Sequence, residues 1–181
     1  MERYYSYTLC EGLRLLYFQA DPSKFAKGVE LLEKAVAEEE PHAFYFLARC
    51  YGWGDGNVKV NEKKAKKLSK RGIELGSELC VLGADRMDIL KGDIKNAMTG
   101  TLEDAFNSVL AMAENGEPMA QYAIGLFYFW GDMLLNFQKP PKEEFHKYEK
   151  ENAAHALKWF RLSAQQGCIP AFRNAFNSVR N

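Results

Sequence analysis

Ala120-Gln-Tyr-Ala-Ile124-Gly125-Leu-Phe-Tyr128-Phe-Trp130-Gly131-Asp132 decides how this chain is read, because a near copy stands 77 residues earlier. That copy runs Ala43-Phe-Tyr-Phe-Leu47-Ala48-Arg-Cys-Tyr51-Gly-Trp53-Gly54-Asp55. Eight of the thirteen positions agree in kind (Ala, Tyr, Leu/Ile, Ala/Gly, Tyr, Trp, Gly and Asp), so the chain is built from repeats. Apolar residues at Ala43, Leu47, Ala48 and Tyr51 follow the i, i+4, i+5, i+8 spacing of one helix face.

A second pattern alternates with the first. Lys64-Ala65 to Gly76, Asp104-Ala105 to Gly116 and His155-Ala156 to Gly167 share one frame, and Lys27-Gly28 to Glu39 fits it with Glu at the end. Gly76, Gly116 and Gly167 stand where a helix C-terminus takes positive φ, and Pro41, Pro118 and Pro170 suit the first turn of the next helix. The small residues Ala43, Cys80, Ala120 and Ala171 follow these ends at spacings of 37, 40 and 51, a period near 38 with one enlarged unit. No segment alternates with period two, which predicts an all-α chain. The enlarged unit carries an extra stretch over Met133–Tyr148 in which Pro140-Pro141 interrupts the pattern and Lys142 to Asn152 extend the helix that follows.

Composition narrows the class. Of 181 residues 47% are apolar, enough for a sizeable core, and the longest apolar runs fall well short of the roughly 20 residues of a membrane span. Twenty-four Lys and Arg against 24 Asp and Glu disfavour non-specific polyanion binding. Cys10, Cys50, Cys80 and Cys168 form no C-x-x-C pair and each sits in a helical pattern, so they read as buried thiols, with no metal centre and no cofactor expected. With no charged-then-apolar leader in view, these thiols predict a cytoplasmic protein without a membrane partner.

These patterns resemble the Sel-one-like repeats, relatives of the tetratricopeptide repeats. The similarity rests on A-x-Y-x-L-G-x-x-Y-x-x-G at Ala120 to Asp132, on K-A-x-x-W-Y/F-x-x-A-A-x-x-G at His155 to Gly167, and on both halves from Ala43 to Gly76. Ser6 to Tyr17 and Cys80 to Gly92 are weaker copies. The resemblance implies an α-α superhelix, a solenoid of about four antiparallel helix hairpins. As one repeat domain over residues 1–181, the hairpins would occupy 2–40, 41–76, 77–116 and 117–167, with a capping helix over 168–181. A solenoid end needs a polar outer face, which Arg173, Asn174, Asn177, Arg180 and Asn181 would supply.

The same analogy places the first helix of each hairpin along a concave groove. Off the buried stripe, hairpin two then offers Tyr45, Arg49 and Trp53; hairpin three offers Leu82, Arg86 and Leu90; hairpin four offers Tyr122, Leu126 and Trp130, with Phe129 alongside. Arginines and aromatics dominate binding hot spots, so this set is the candidate site for a peptide with acidic and apolar side chains. The competing reading is that these aromatics seal adjacent repeats.

Other features carry less. Gly52-Trp-Gly54-Asp-Gly56-Asn57 follows a helix and lacks the Gly-Lys-Ser/Thr of a phosphate loop, so it reads as a turn. His42, His146 and His155 show no neighbouring Ser or Cys in sequence, which offers no nucleophile–base pair. On the Lys59–Arg71 helix, Ala65, Leu68 and Gly72 form the buried stripe and the lysines a solvated face. The function these features favour is non-enzymatic: a scaffold or adaptor for a protein or peptide. Alternatives are a small-ligand-binding or hydrolytic enzyme using the groove, for which Ser-x-x-Lys is lacking, and nucleic-acid binding through the Lys59–Arg71 face.

Overall fold

The computed structural model describes residues 1–84, 102–129 and 145–178, and among these every regular element is helical. The helices are α1 (Tyr7–Tyr17), α2 (Phe25–Ala37), α3 (Pro41–Trp53), α4 (Glu62–Glu74), α5 (Glu78–Ala84), α6 (Leu102–Glu114), α7 (Pro118–Phe129), α8 (Phe145–Gln165) and α9 (Ile169–Ser178). The chain divides into two compact units, Met1–Ser108 and Val109–Asn181, with the division inside α6. The candidate residues Arg86, Leu90 and Trp130 and most of the Met133–Tyr148 stretch lie outside the described residues, as do Arg180 and Asn181. The extended helix is present: α8 begins ten positions before His155.

In the first unit, α1 packs on α2 and α3 on α4, with α2–α3 and α4–α5 contacts joining the pairs. Small residues set how closely the helices approach. A Cβ on Gly12 would stand 3.2 Å from the Gly28 carbonyl oxygen and one on Gly28 would stand 2.7 Å from Leu16 Cγ, so α1 and α2 cross nearly backbone to backbone. Gly72 on α4 is tighter, since a Cβ there would run into Cys80 Sγ and stand 2.8 Å from Phe44 Cβ. The buried stripe of α4 is Ala65, Ser69, Gly72 and Ile73, while Leu68 is only half-buried. The stripe is therefore rotated toward small residues, because α3 and α5 press closely on this helix. Helix α3 is buried nearly all round, with Phe44, Phe46, Leu47, Ala48 and Cys50 covered by its neighbours.

The second unit packs α7 on α8 and α8 on α9. Here the close approach is at Gly125, where a Cβ would stand 2.6 Å from the ring of the fully buried Phe160.

One termination motif recurs. After α4, the Ser77 N–H donates to the Gly72 carbonyl and the Gly76 N–H to that of Ile73. The same pair of bonds follows α6 through Gly116 and Glu117, and α8 through Gly167 and Cys168. This arrangement needs a left-handed residue, and φ is +85° at Gly76, +88° at Gly116 and +94° at Gly167. After α2 the identical bonds are made with Glu39 at φ +57°, a conformation that costs a side-chain-bearing residue about 1 kcal/mol or more. A further ion pair, Arg71 to Glu39 at 2.6 Å, holds that Glu in place.

Candidate functional site

The first candidate set lies on α3, whose residues 45, 49 and 53 share one side at i, i+4 and i+8. Tyr45 is half-buried: its ring meets Phe46 edge-on at 5.1 Å, and Gly83 of α5 leaves room for it, since a Cβ there would stand 3.1 Å from the Tyr45 ring. The Arg49 side chain is only 12% exposed, and its Nε donates to Asp55 Oδ2 at 2.9 Å. The buried Tyr17 hydroxyl donates to the same carboxylate oxygen at 2.8 Å. Burial, and next the Asp55 charge, push the Tyr17 phenol well above its usual pKa, so it remains a donor. Arg49 thus spends its charge inside the molecule, tying α3 to the turn that follows it. Trp53 differs: it ends α3 and is 54% exposed.

The second set lies on α7. Tyr122 is buried with its ring 6.0 Å from that of Phe160, Leu126 is half-buried, and Phe129 is 37% exposed at 5.9 Å from Phe160. Leu82, on α5, is buried. The candidates therefore divide by physics: Tyr122 and Leu82 belong to the packing, Arg49 to an internal network, and Trp53 and Phe129 present apolar area to solvent.

A family model described as the Sel1 repeat matches residues 41–77, 118–139 and 147–168. The chain carries Sel1 repeats. The matched segments hold α3 with α4, then α7, then most of α8, and the match lapses over 140–146, where Pro140-Pro141 and the start of α8 fall. A solved Sel1 repeat protein from Oxalobacter formigenes is similar at 20% identity and TM-score 0.41 over 88% of this chain and 51% of that one. The chain therefore spans about half the length of that protein. No curated protein matches the chain. Sel1 repeat proteins generally act in protein–protein interactions, as non-enzymatic scaffolds.

Within these repeats several further polar groups have structural partners. The sequence offered no serine beside a histidine, but folding brings Ser77 Oγ to 3.2 Å from His42 Nδ1 across 35 positions. Glu78 lies 3.7 Å from His42 Nε2. This is not a nucleophile's setting: Ser77 is fully buried and its Oγ accepts from the Cys80 N–H as the cap of α5. His155 stacks on Tyr128 at 4.8 Å. The four cysteines are buried and none is joined in a disulfide, and burial raises both Cys50 and Cys80 to about 12, so these two thiols stay protonated and inert. Among the described residues no group of three or more His, Cys, Asp or Glu side chains could hold a metal ion, and no helix is long and apolar enough to cross a membrane.

Two features escaped the sequence reading. Asp55 was legible only as part of a turn, although its recurrence as Asp132 after Trp-Gly was the available signal. The terminal helix was expected to present a polar face, yet α9 exposes Phe172 at 65% and Phe176 at 53% beside Arg173 and Asn177. The register explains the placement. Phe172 aligns with Phe44, which faces Gly72 on the second helix of its own hairpin, and Phe176 aligns with Gly125, which faces Phe160 in the same way.

Proposed function

We propose that the protein is a non-enzymatic scaffold that holds a peptide or protein segment against the open side of the first helix of its hairpins. In the first unit Trp53 is the anchor; in the second, Leu126 and Phe129 offer the corresponding apolar surface. Arg86, Leu90 and Trp130 join the set by their register in the sequence.

The observation that carries this reading is the exposure of Trp53 on a helix whose other large apolar side chains are mostly buried. A tryptophan left half in water on a rigid helix offers large apolar area at low entropic cost. The internal pairing of Arg49 with Asp55 removes the reason to require acidic residues at this face, so the segment it fits is apolar or aromatic there. Buried thiols that are not joined in disulfides favour a reducing compartment such as the cytoplasm.

Partner capture by immobilised protein, read by mass spectrometry, tests the proposal with two variants. Trp53→Ala should reduce recovery of the specific partner by about tenfold or more while circular dichroism stays unchanged. Tyr7→Ala removes an aromatic that is 75% exposed but outside the set, and should leave recovery intact. Equal recovery with Trp53→Ala, or equal loss with Tyr7→Ala, would overturn the assignment.

A further inference from the structure

Helix α4 bears a second surface, independent of the Trp53 face. Lys63, Lys66, Lys67 and Lys70 are all exposed. At 3.6 residues per turn they fall within an arc of about 100°, opposite the buried Ala65, Ser69 and Gly72. Each of the four has two of the others three or four positions away, the spacing at which like charges destabilise a helix. Lys63 also stands in the first turn, where the helix dipole disfavours a cation.

Elsewhere among the described residues of the first unit most cations have a carboxylate beside them, Arg3, Lys24 and Lys59 being the exceptions. Arg14 pairs with Glu11, Lys27 with Glu30, Lys34 with Glu38, Lys64 with Glu33, and Arg71 with Glu39 and Glu74. Among the described residues no carboxylate lies within ion-pair distance of Lys63, Lys66, Lys67 or Lys70. Lys64 and Arg71, the cations flanking the stripe, are turned to neighbouring helices: Lys64 Nζ sits 3.8 Å from the Tyr51 ring centroid. A helix that gathers four like charges on one exposed face, against the local rule, keeps that face for something outside the chain.

We propose that the outer face of α4 docks an acidic helical segment of a partner protein. Lysines at i, i+3, i+4 and i+7 form a straight ladder about 10 Å long, and a helix bearing glutamates at the same spacing sets a carboxylate opposite each of them. Nucleic acid fits less well. No aromatic side chain occurs on α4 for bases to stack on, and a chain of zero net charge lacks the long-range field that draws a polyanion.

Fluorescence anisotropy on the full chain tests this with three probes: a helical peptide with glutamates in that stripe, a peptide of the same composition with them spread around the helix, and a short DNA duplex. The striped peptide should bind, less tightly as salt rises, and the spread peptide more weakly. Changing Lys63, Lys66, Lys67 and Lys70 together to glutamine should weaken binding about tenfold or more, whereas Trp53→Ala should leave it unchanged. Glutamine matches lysine closely in helix propensity, so the fold should persist. As a second check, Lys66→Glu with Lys70→Glu should reject the striped peptide and accept one with lysines in its place. The inference is overturned if the striped peptide fails to bind, binds the glutamine variant equally, binds no better than the spread peptide, or is displaced by the duplex at physiological salt.

Discussion

The α3–α4 and α7–α8 hairpins are copies of one repeat that solve the same packing problem with opposite assignments of size. In α3–α4 the large residue is Phe44 on the first helix and the small one Gly72 on the second. In α7–α8 the first helix supplies the small Gly125 and the second the large Phe160. At the corresponding registers, Phe44 becomes Gln121, Gly72 becomes Ser163, Ala48 becomes Gly125 and Ser69 becomes Phe160. The polar replacements are used: Gln121 Nε2 donates to the Ala113 carbonyl and its Oε1 accepts from Gln166, while Ser163 Oγ donates to the Pro118 carbonyl. In both copies a bulky ring stands opposite a glycine of the paired helix, and the ring is free to stand on either side.

Exchanging residues between the copies is the direct way to break this account. Phe160→Ser gives the second unit the residue that the first has at that register. It removes a fully buried ring opposite a glycine, so nothing nearby can fill the space, and it buries a hydroxyl. The expected loss is about 4 kcal/mol or more, within the range for deleting buried aromatics, read from the urea midpoint. Adding Gly125→Ala should recover part of that loss, although the same alanine alone should destabilise by about 1–3 kcal/mol because its Cβ would press on the Phe160 ring. Strict additivity of the two changes would show that volume is not shared across the pair.

The same comparison explains what could be read from the amino acids. Helix boundaries were legible, because Pro41 and Pro118 open helices and Gly76, Gly116 and Gly167 close them by local rules that need no tertiary partner. The identity of the small residues was legible too, since a repeat shows them in register. Which aromatic is exposed was not. Tyr45 and Tyr122 occupy one register, yet the first is half-buried and the second buried, because neighbouring helices decide exposure. Arg49 misled for a similar reason: its partner Asp55 lies six positions on, beyond the regular helix, in a turn whose geometry no periodicity reports.

Arg49 also supplies the exchange of intermediate size. Its counterpart in the second unit is Leu126, so Arg49→Leu makes the α3 face resemble that of α7. The variant leaves the Tyr17 hydroxyl to hold Asp55 Oδ2 without the guanidinium. Breaking a buried pair costs about 3–5 kcal/mol, but Asp55 is 23% exposed and retains Tyr17, so about 2 kcal/mol is expected. Asp55→Asn should cost less, since its side-chain oxygen still accepts both bonds. If Arg49→Leu leaves the urea midpoint unchanged, the pair is ornamental to stability and Arg49 is again available as a partner contact.

The smallest exchange concerns pH. His42 stands at the register of Met119, which is buried. Burial lowers the His42 pKa from its ordinary 6.5, with the charges of Glu78 and Glu40 opposing the shift. In the unfolded chain the imidazole therefore takes up its proton at a higher pH than in the folded one. Stability linked to this group is complete above about pH 6.5, declines as pH falls from there, and levels once the folded pKa is passed. His42→Met removes that dependence at the cost of the Ser77 bond, about 1 kcal/mol, because Ser77 still accepts from the Cys80 N–H. Urea midpoints for the two proteins should run parallel above about pH 7.5 and converge below about pH 6.5, where only the wild type loses stability through this imidazole. A constant separation across that range would mean that the Glu78 and Glu40 carboxylates offset burial in full.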